Sequence, residues 1–260
     1  MNHCYTTIAS TLLLCWAAGC AAETHGRAVR IAFAVEAEPD GERAPGDFET
    51  ATGWQVSLER AELAIGAVYA FGPEEEPGVM ARLGELVVPV AQAHGGHDPL
   101  SGKRVRAELL EPFVVDALRE RDDRVEEVEA EAGTVASLAI DIAAPDAEVT
   151  RQLDGHQAFV AGTAARGDQT IRFAGGLTIP DDGLTRRIEC TAGDLLLDDG
   201  ATLVIGVRPH GWLRDAEFDR LSPAADDGIH EVSADSQVGR AWFIGVRSPA
   251  AYSVHTKEEK

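Results

Sequence analysis

Sulfur is scarce in this chain. Its 260 residues hold four cysteines and two methionines, and Cys4, Cys15 and Cys20 all fall within the first twenty positions. Only Cys190 lies beyond them, so the rest of the chain can form no intramolecular disulfide, and a chain of this length can bury a core large enough to need none. Cys190 sits in the strand-like run Arg187-Ile-Glu-Cys-Thr191, where a small buried side chain is the simpler reading than a reactive thiol or a metal ligand. Basic residues are also short: 23 Lys and Arg face 44 Asp and Glu, a formal charge of -21 that repels a phosphate backbone and excludes nucleic acid as a partner. Gly-x-Ser-x-Gly, Gly-x-x-x-x-Gly-Lys-Ser/Thr, His-Glu-x-x-His and Cys-x-x-Cys are all missing. Carboxylates abound, but no spacing among them singles out a general acid and base.

Long apolar runs are missing as well. The longest candidate, Ile8 to Ala18, is too short for a permanent bilayer-spanning helix, which needs about 20 residues. Residues 1–19 contain no Asp, Glu, Lys or Arg, and small residues follow the apolar stretch where a signal peptidase would cut. The boundary Ala17-Ala18-Gly19-Cys20 resembles the lipobox of bacterial lipoproteins, although the segment before the apolar run lacks the usual basic residue. That resemblance implies cleavage before Cys20, lipidation of its thiol and a multi-chain membrane anchor. The expected organisation is a signal peptide over 1–19, a lipidated tether over 20–27, a β-rich soluble domain over 28–255 and a polar tail over 256–260. The expected location is the cell envelope, at the outer membrane or the periplasmic face.

The domain reads as mainly β: a single antiparallel β-sandwich or open barrel with one or two short helices. Val29, Ile31, Phe33 and Val35 alternate with Arg30, Ala32, Ala34 and Glu36, the period of two of a half-buried strand. Over 54–71 the alternation predicts a strand whose phase switches near Arg60, so that Val56 and Leu58, then Ala61, Leu63 and Ile65 after a bulge, share the apolar face. The helix-forming composition of Ser57 to Ala64 makes a helix the rival there. Val105 to Leu109 alternates again, whereas the charge-rich stretch from Asp116 to Ala132 reads as a solvated helix or loop. From Thr134 onward, short apolar runs at 135–142, 159–165, 170–173, 187–191 and 202–207 are separated by turn residues, as in a sandwich or open barrel. Trp212 to Leu221 is expected to be a short helix and Val238 to Val246 a last strand.

The sharpest local feature is Ala93-His-Gly-Gly-His-Asp98. Its two glycines permit backbone angles that could turn His94 and His97 toward one point, and neutral imidazole is a favoured ligand for zinc and copper. His156, in Leu153-Asp-Gly-His-Gln157, is the candidate third ligand, with Asp98 and Asp154 as oxygen ligands or supporting partners. Glu59 and Glu62 could also point inward. The competing reading makes His94 and His97 polar loop residues and His156 a strand-start residue bonded to backbone. His210 is expected in a turn ahead of a core-packed Trp212, and His25, His230 and His255 in polar or terminal surroundings.

The lipobox, the early Gly53-Trp54 strand, the His-x-x-His loop, the Gly155-His156 strand and the Trp212 to Leu221 segment together resemble the methanobactin-associated periplasmic copper-binding proteins. The resemblance implies a β-rich fold and copper bound through histidine, with His94, His97 and His156 carried over as ligands. Cys190 departs from that pattern, because the family carries several cysteines in its mature domain. The expected function is therefore an envelope lipoprotein that binds a Zn or Cu ion, for storage, delivery or sensing. Its expected partners are the membrane through Cys20, the metal ion and an envelope protein. A metal-free adhesion-type module for a protein or polysaccharide partner is the alternative, and an envelope hydrolase the third.

Overall fold

In the computed structural model, residues 26–73, 103–119, 123–180 and 183–257 are described. Cys20, His94, His97 and Asp98 lie outside the described residues, as do the apolar segment 86–90 and most of the charged loop at 73–77.

Strand β3 (Gln55–Phe71) organises the rest. Its 17 residues pair with β8 (Ala158–Arg166) over the first half, and with β7 (Gly133–Ile142) and β4 (Val105–Leu109) on opposite edges of the second half. The register shifts between Leu58 and Arg60, so Glu59 is the extra residue of a bulge and the phase of burial changes there. Val56 and Leu58 before it and Ala61, Leu63 and Ile65 after it are all buried, as the strand reading expects, and the helix rival fails. Gly162 of β8 lies opposite the bulge, and a Cβ there would collide with the Ser57 carbonyl.

From β8 the sheet continues to β9 (Gln169–Leu177) and β12 (Ile229–Glu231); from β4 it continues through β6 (Asp123–Glu131) and β1 (Ala28–Ala37) to β11 (Thr202–Val207) and β13 (Tyr252–Lys257). Short strands β2 (Asp47–Glu49) and β5 (Phe113–Asp116) also pair with β3, and β10 (Arg187–Leu197) pairs with β7. The fold is mainly β, as expected, and its described strands form one open sheet that does not close into a barrel. Most pairs are antiparallel; β1–β11 and β9–β12 are parallel.

Three sequence expectations are corrected. The charged stretch before Ala132 is not a helix or solvated loop at 123–131 but strand β6, set between β1 and β4. Ala130 is buried and Val128 packs on the core, while Glu129 stands opposite Arg30, and Arg104 and Arg106 pair with Glu131. Trp212 to Leu221 is not one helix. After the turns α1 (Gly183–Arg186) and α2 (Pro209–Trp212), the chain becomes irregular until a 3-10 turn at Phe218–Arg220. Its backbone groups are taken by neighbours instead of a helical ladder: the Arg214 carbonyl accepts from Ala51, the Ala216 carbonyl from Thr52, and the Glu217 amide donates to Gln237. Val238 to Val246 is not a strand but lies in helix α3 (Gln237–Val246). Ser236 caps it by accepting from the Gly239 amide at 2.9 Å, and Val238, Trp242 and Val246 bury one stripe at four-residue spacing.

Candidate functional site

The parallel pairing of β1 with β11 and the antiparallel pairing of β11 with β13 put Ala34, Val204 and His255 in one row across the sheet, and Glu36, Gly206 and Ser253 in the next. Alternation sends Ile31, Phe33 and Val35 into the core and Glu36 out on the opposite face. Ser253, His255 and Lys257 share that outer face because they are two residues apart on β13. Glu38, just past the end of β1, joins them.

Gly206 makes the meeting possible. A Cβ at this position would collide with the Glu38 carboxylate and the Ser253 hydroxyl, so the bare backbone of β11 is the floor over which Glu38 reaches Ser253. The Ser253 hydroxyl donates to Glu38 Oε1, and Arg208 Nε donates to Glu38 Oε2 at 2.5 Å. Lys257 Nζ lies 2.6 Å from Glu36 Oε2, and His255 Nε2 lies 3.2 Å from Glu36 Oε1. One ligand atom each from Glu36, Glu38 and His255 falls within 4.8 Å of the other two. Burial pushes the Glu38 carboxyl up, but the hydrogen bonds from Ser253 and Arg208 and the Arg208 charge outweigh it and hold Glu38 below its ordinary range. Glu38 is thus held ionised in neutral solution.

Two carboxylate oxygens and one imidazole nitrogen form a hard to borderline donor set with no sulfur. That set suits a divalent cation such as Zn(II) or Cu(II), and suits Cu(I) poorly. The group is already organised for positive charge, since Lys257 and Arg208 hold its carboxylates now.

His156 lies two residues before β8, and its ring meets a side-chain hydroxyl instead of the backbone partner of the competing reading. It is partly buried, its ring lies over Gly176, and its Nδ1 is 3.2 Å from the Thr178 hydroxyl. Four steps of the strand order, through β3, β4 and β6, separate β8 from β1. Asp154 is exposed in a left-handed turn. Glu59 is the exposed bulge residue and Glu62 pairs with Arg60 at 2.5 Å, so neither points inward to a shared site. Cys190 is buried, as expected, and desolvation pushes its thiol up to about 11. His210 falls in α2 ahead of a fully buried Trp212, also as expected.

His255 is the functional candidate that sequence reasoning passed over as a near-terminal residue. Its signal was the polar alternation Ser253, His255, Lys257 after Tyr252, matched by Glu36 and Glu38 at the same spacing and by a lone glycine inside the apolar run 202–207.

No family model matches the chain, and no curated protein matches it. Among solved structures, MbnP from Methylosinus trichosporium is similar over 88% of this chain and 98% of its own, at 9% sequence identity and a TM-score of 0.39. A TM-score of that size carries no functional inference.

Proposed function

We propose that this protein is a cell-envelope lipoprotein, anchored through Cys20, whose β-rich domain binds one divalent transition-metal ion at Glu36, Glu38 and His255 for storage, delivery or sensing. The reading rests on the convergence of those three side chains, with Glu38 reaching over Gly206 and all three ligand atoms within 4.8 Å of one another. An ion entering there replaces the Lys257 ammonium on Glu36, exchanging one positive partner for another instead of desolvating free carboxylates. The acidic field of a chain with formal charge -21 raises the local cation concentration. Glu36 lies eight residues along β1 from Ala28, about 26 Å at the rise of an extended strand, so the ion would be held well away from the tether.

The competing ligand set for the same function is His94, His97, His156 and Asp98, read from the sequence. Titration of chelator-stripped protein with Zn(II) and with Cu(II), followed calorimetrically, distinguishes the two. One ion per chain is expected, with affinity at least about tenfold weaker in Glu36→Gln and His255→Ala and unchanged in a His94→Ala/His97→Ala variant. The reverse pattern, or no binding of either ion, overturns the assignment.

A further inference from the structure

Helices α2 and α3 press together because Gly245 of α3 carries no side chain. A Cβ there would lie 2.6 Å from the Gly211 carbonyl oxygen and 2.7 Å from the Trp212 carbonyl carbon. Beside this contact a cleft of about 380 Å³ opens, with His210, Arg214 and Asp215 on one side and Arg240, Ala241 and Ile244 on the other. That volume lies at the small end of ligand pockets.

Two properties set the cleft apart from the rest of the molecule. In a chain with almost twice as many acidic as basic residues, Arg214 and Arg240 both line it, and no ion pair joins either guanidinium to a carboxylate among the described residues. The Arg240 guanidinium donates to the Asp235 carbonyl. Burial pushes His210 below its ordinary value, so in neutral solution the positive charge of the cleft comes from the two arginines. The second property is apolar: Ile244 is 68% exposed, one of three large hydrophobic residues so exposed among the described residues, and it stands beside Ala241 at the rim. Guanidinium groups with no carboxylate partner among the described residues, beside an exposed aliphatic wall, match a carboxylate attached to a short aliphatic body. Asp215 lines the same cleft and opposes any anion there, but two guanidinium groups against one carboxylate leave a net positive charge, which suits a monocarboxylate and not a dianion.

We propose that the cleft between α2 and α3 binds a small aliphatic monocarboxylate, with Arg214 and Arg240 pairing with the carboxylate and Ala241 and Ile244 covering the hydrocarbon. The test is an amide chemical-shift titration of the metal-free protein with isovalerate and, separately, with its uncharged isostere isovaleramide. Saturable shifts at Gly211, Ala241 and Gly245 are expected with isovalerate, and binding at least about tenfold weaker with isovaleramide. An Arg214→Gln/Arg240→Gln variant, altered only at exposed positions, should keep the spectrum of the fold and lose the isovalerate response. Equal binding of the two probes, no saturable shift with isovalerate, or an unchanged response in the double variant overturns the proposal.

Discussion

Gly162→Ala tests the joint of the fold. Gly162 faces the point where β3 changes phase, and its added methyl would strike the Ser57 carbonyl and lie 2.9 Å from Leu58 Cα. Both obstacles are main-chain atoms of a strand paired on its other edge as well, so no side-chain rotation relieves them. Relief requires β8 to move off β3 or the bulge at Glu59 to be rebuilt. Overpacking of this kind costs about 1–3 kcal/mol, partly offset by the reduced entropy of the unfolded chain when glycine becomes alanine. A net loss of about 1–2 kcal/mol corresponds to a melting temperature lower by about 2–8 °C for a domain of this size. Urea denaturation followed by tryptophan fluorescence is a suitable assay, because Trp54 is buried immediately before β3. A variant within about 0.5 kcal/mol of the parent would refute the reasoning, since it would mean that the two strands do not approach as closely as the bulge requires.

Gly206→Ala should act differently, because the atoms it meets are the ends of two side chains that can swing away. The expected cost is one charge-assisted hydrogen bond, about 1–2 kcal/mol, and Ser253→Ala should cost a similar amount. Denaturation of the double variant should show little more loss than either single change, and simple additivity would contradict the shared bond. Glu38 is held below its ordinary value of 4.5, so its contribution to stability is fully present above that pH and is lost as the pH falls through its lower folded value. Glu38→Gln should therefore flatten the acid limb of the stability profile below about pH 4.5 and leave its slope between pH 6 and 8 unchanged. Cys190, with its thiol pushed up to about 11, should resist a maleimide at pH 8 until denaturant is added; peptide mapping that finds rapid labelling of the native protein would contradict its burial.

Much of the fold was legible where one face of a strand is apolar. The alternation at 29–35 and the phase switch near Arg60 correspond to β1 and to the bulge in β3, because a buried face imposes period two wherever it occurs. Strand β6 was hidden because glutamates outnumber its apolar residues; pairing with β1 and β4 and the Arg104 and Arg106 partners of Glu131 override its weak local preference. Helix α3 was hidden by its β-branched and glycine residues. The i, i+4 stripe of Val238, Trp242 and Val246 and the Ser236 cap were the signals that decided it. The site was less legible still, since Glu36, Glu38 and His255 are far apart in sequence and meet only through β11, which contributes a glycine and no ligand.

The central claim is that a metal ion is held by Glu36, Glu38 and His255, a set with a single imidazole. Pulsed electron paramagnetic resonance of the Cu(II)-loaded protein counts coordinated imidazoles directly. The account predicts modulation from one imidazole nitrogen set, abolished in His255→Ala. Modulation from two or more imidazoles, surviving in that variant, would contradict it and place the ion with His94 and His97.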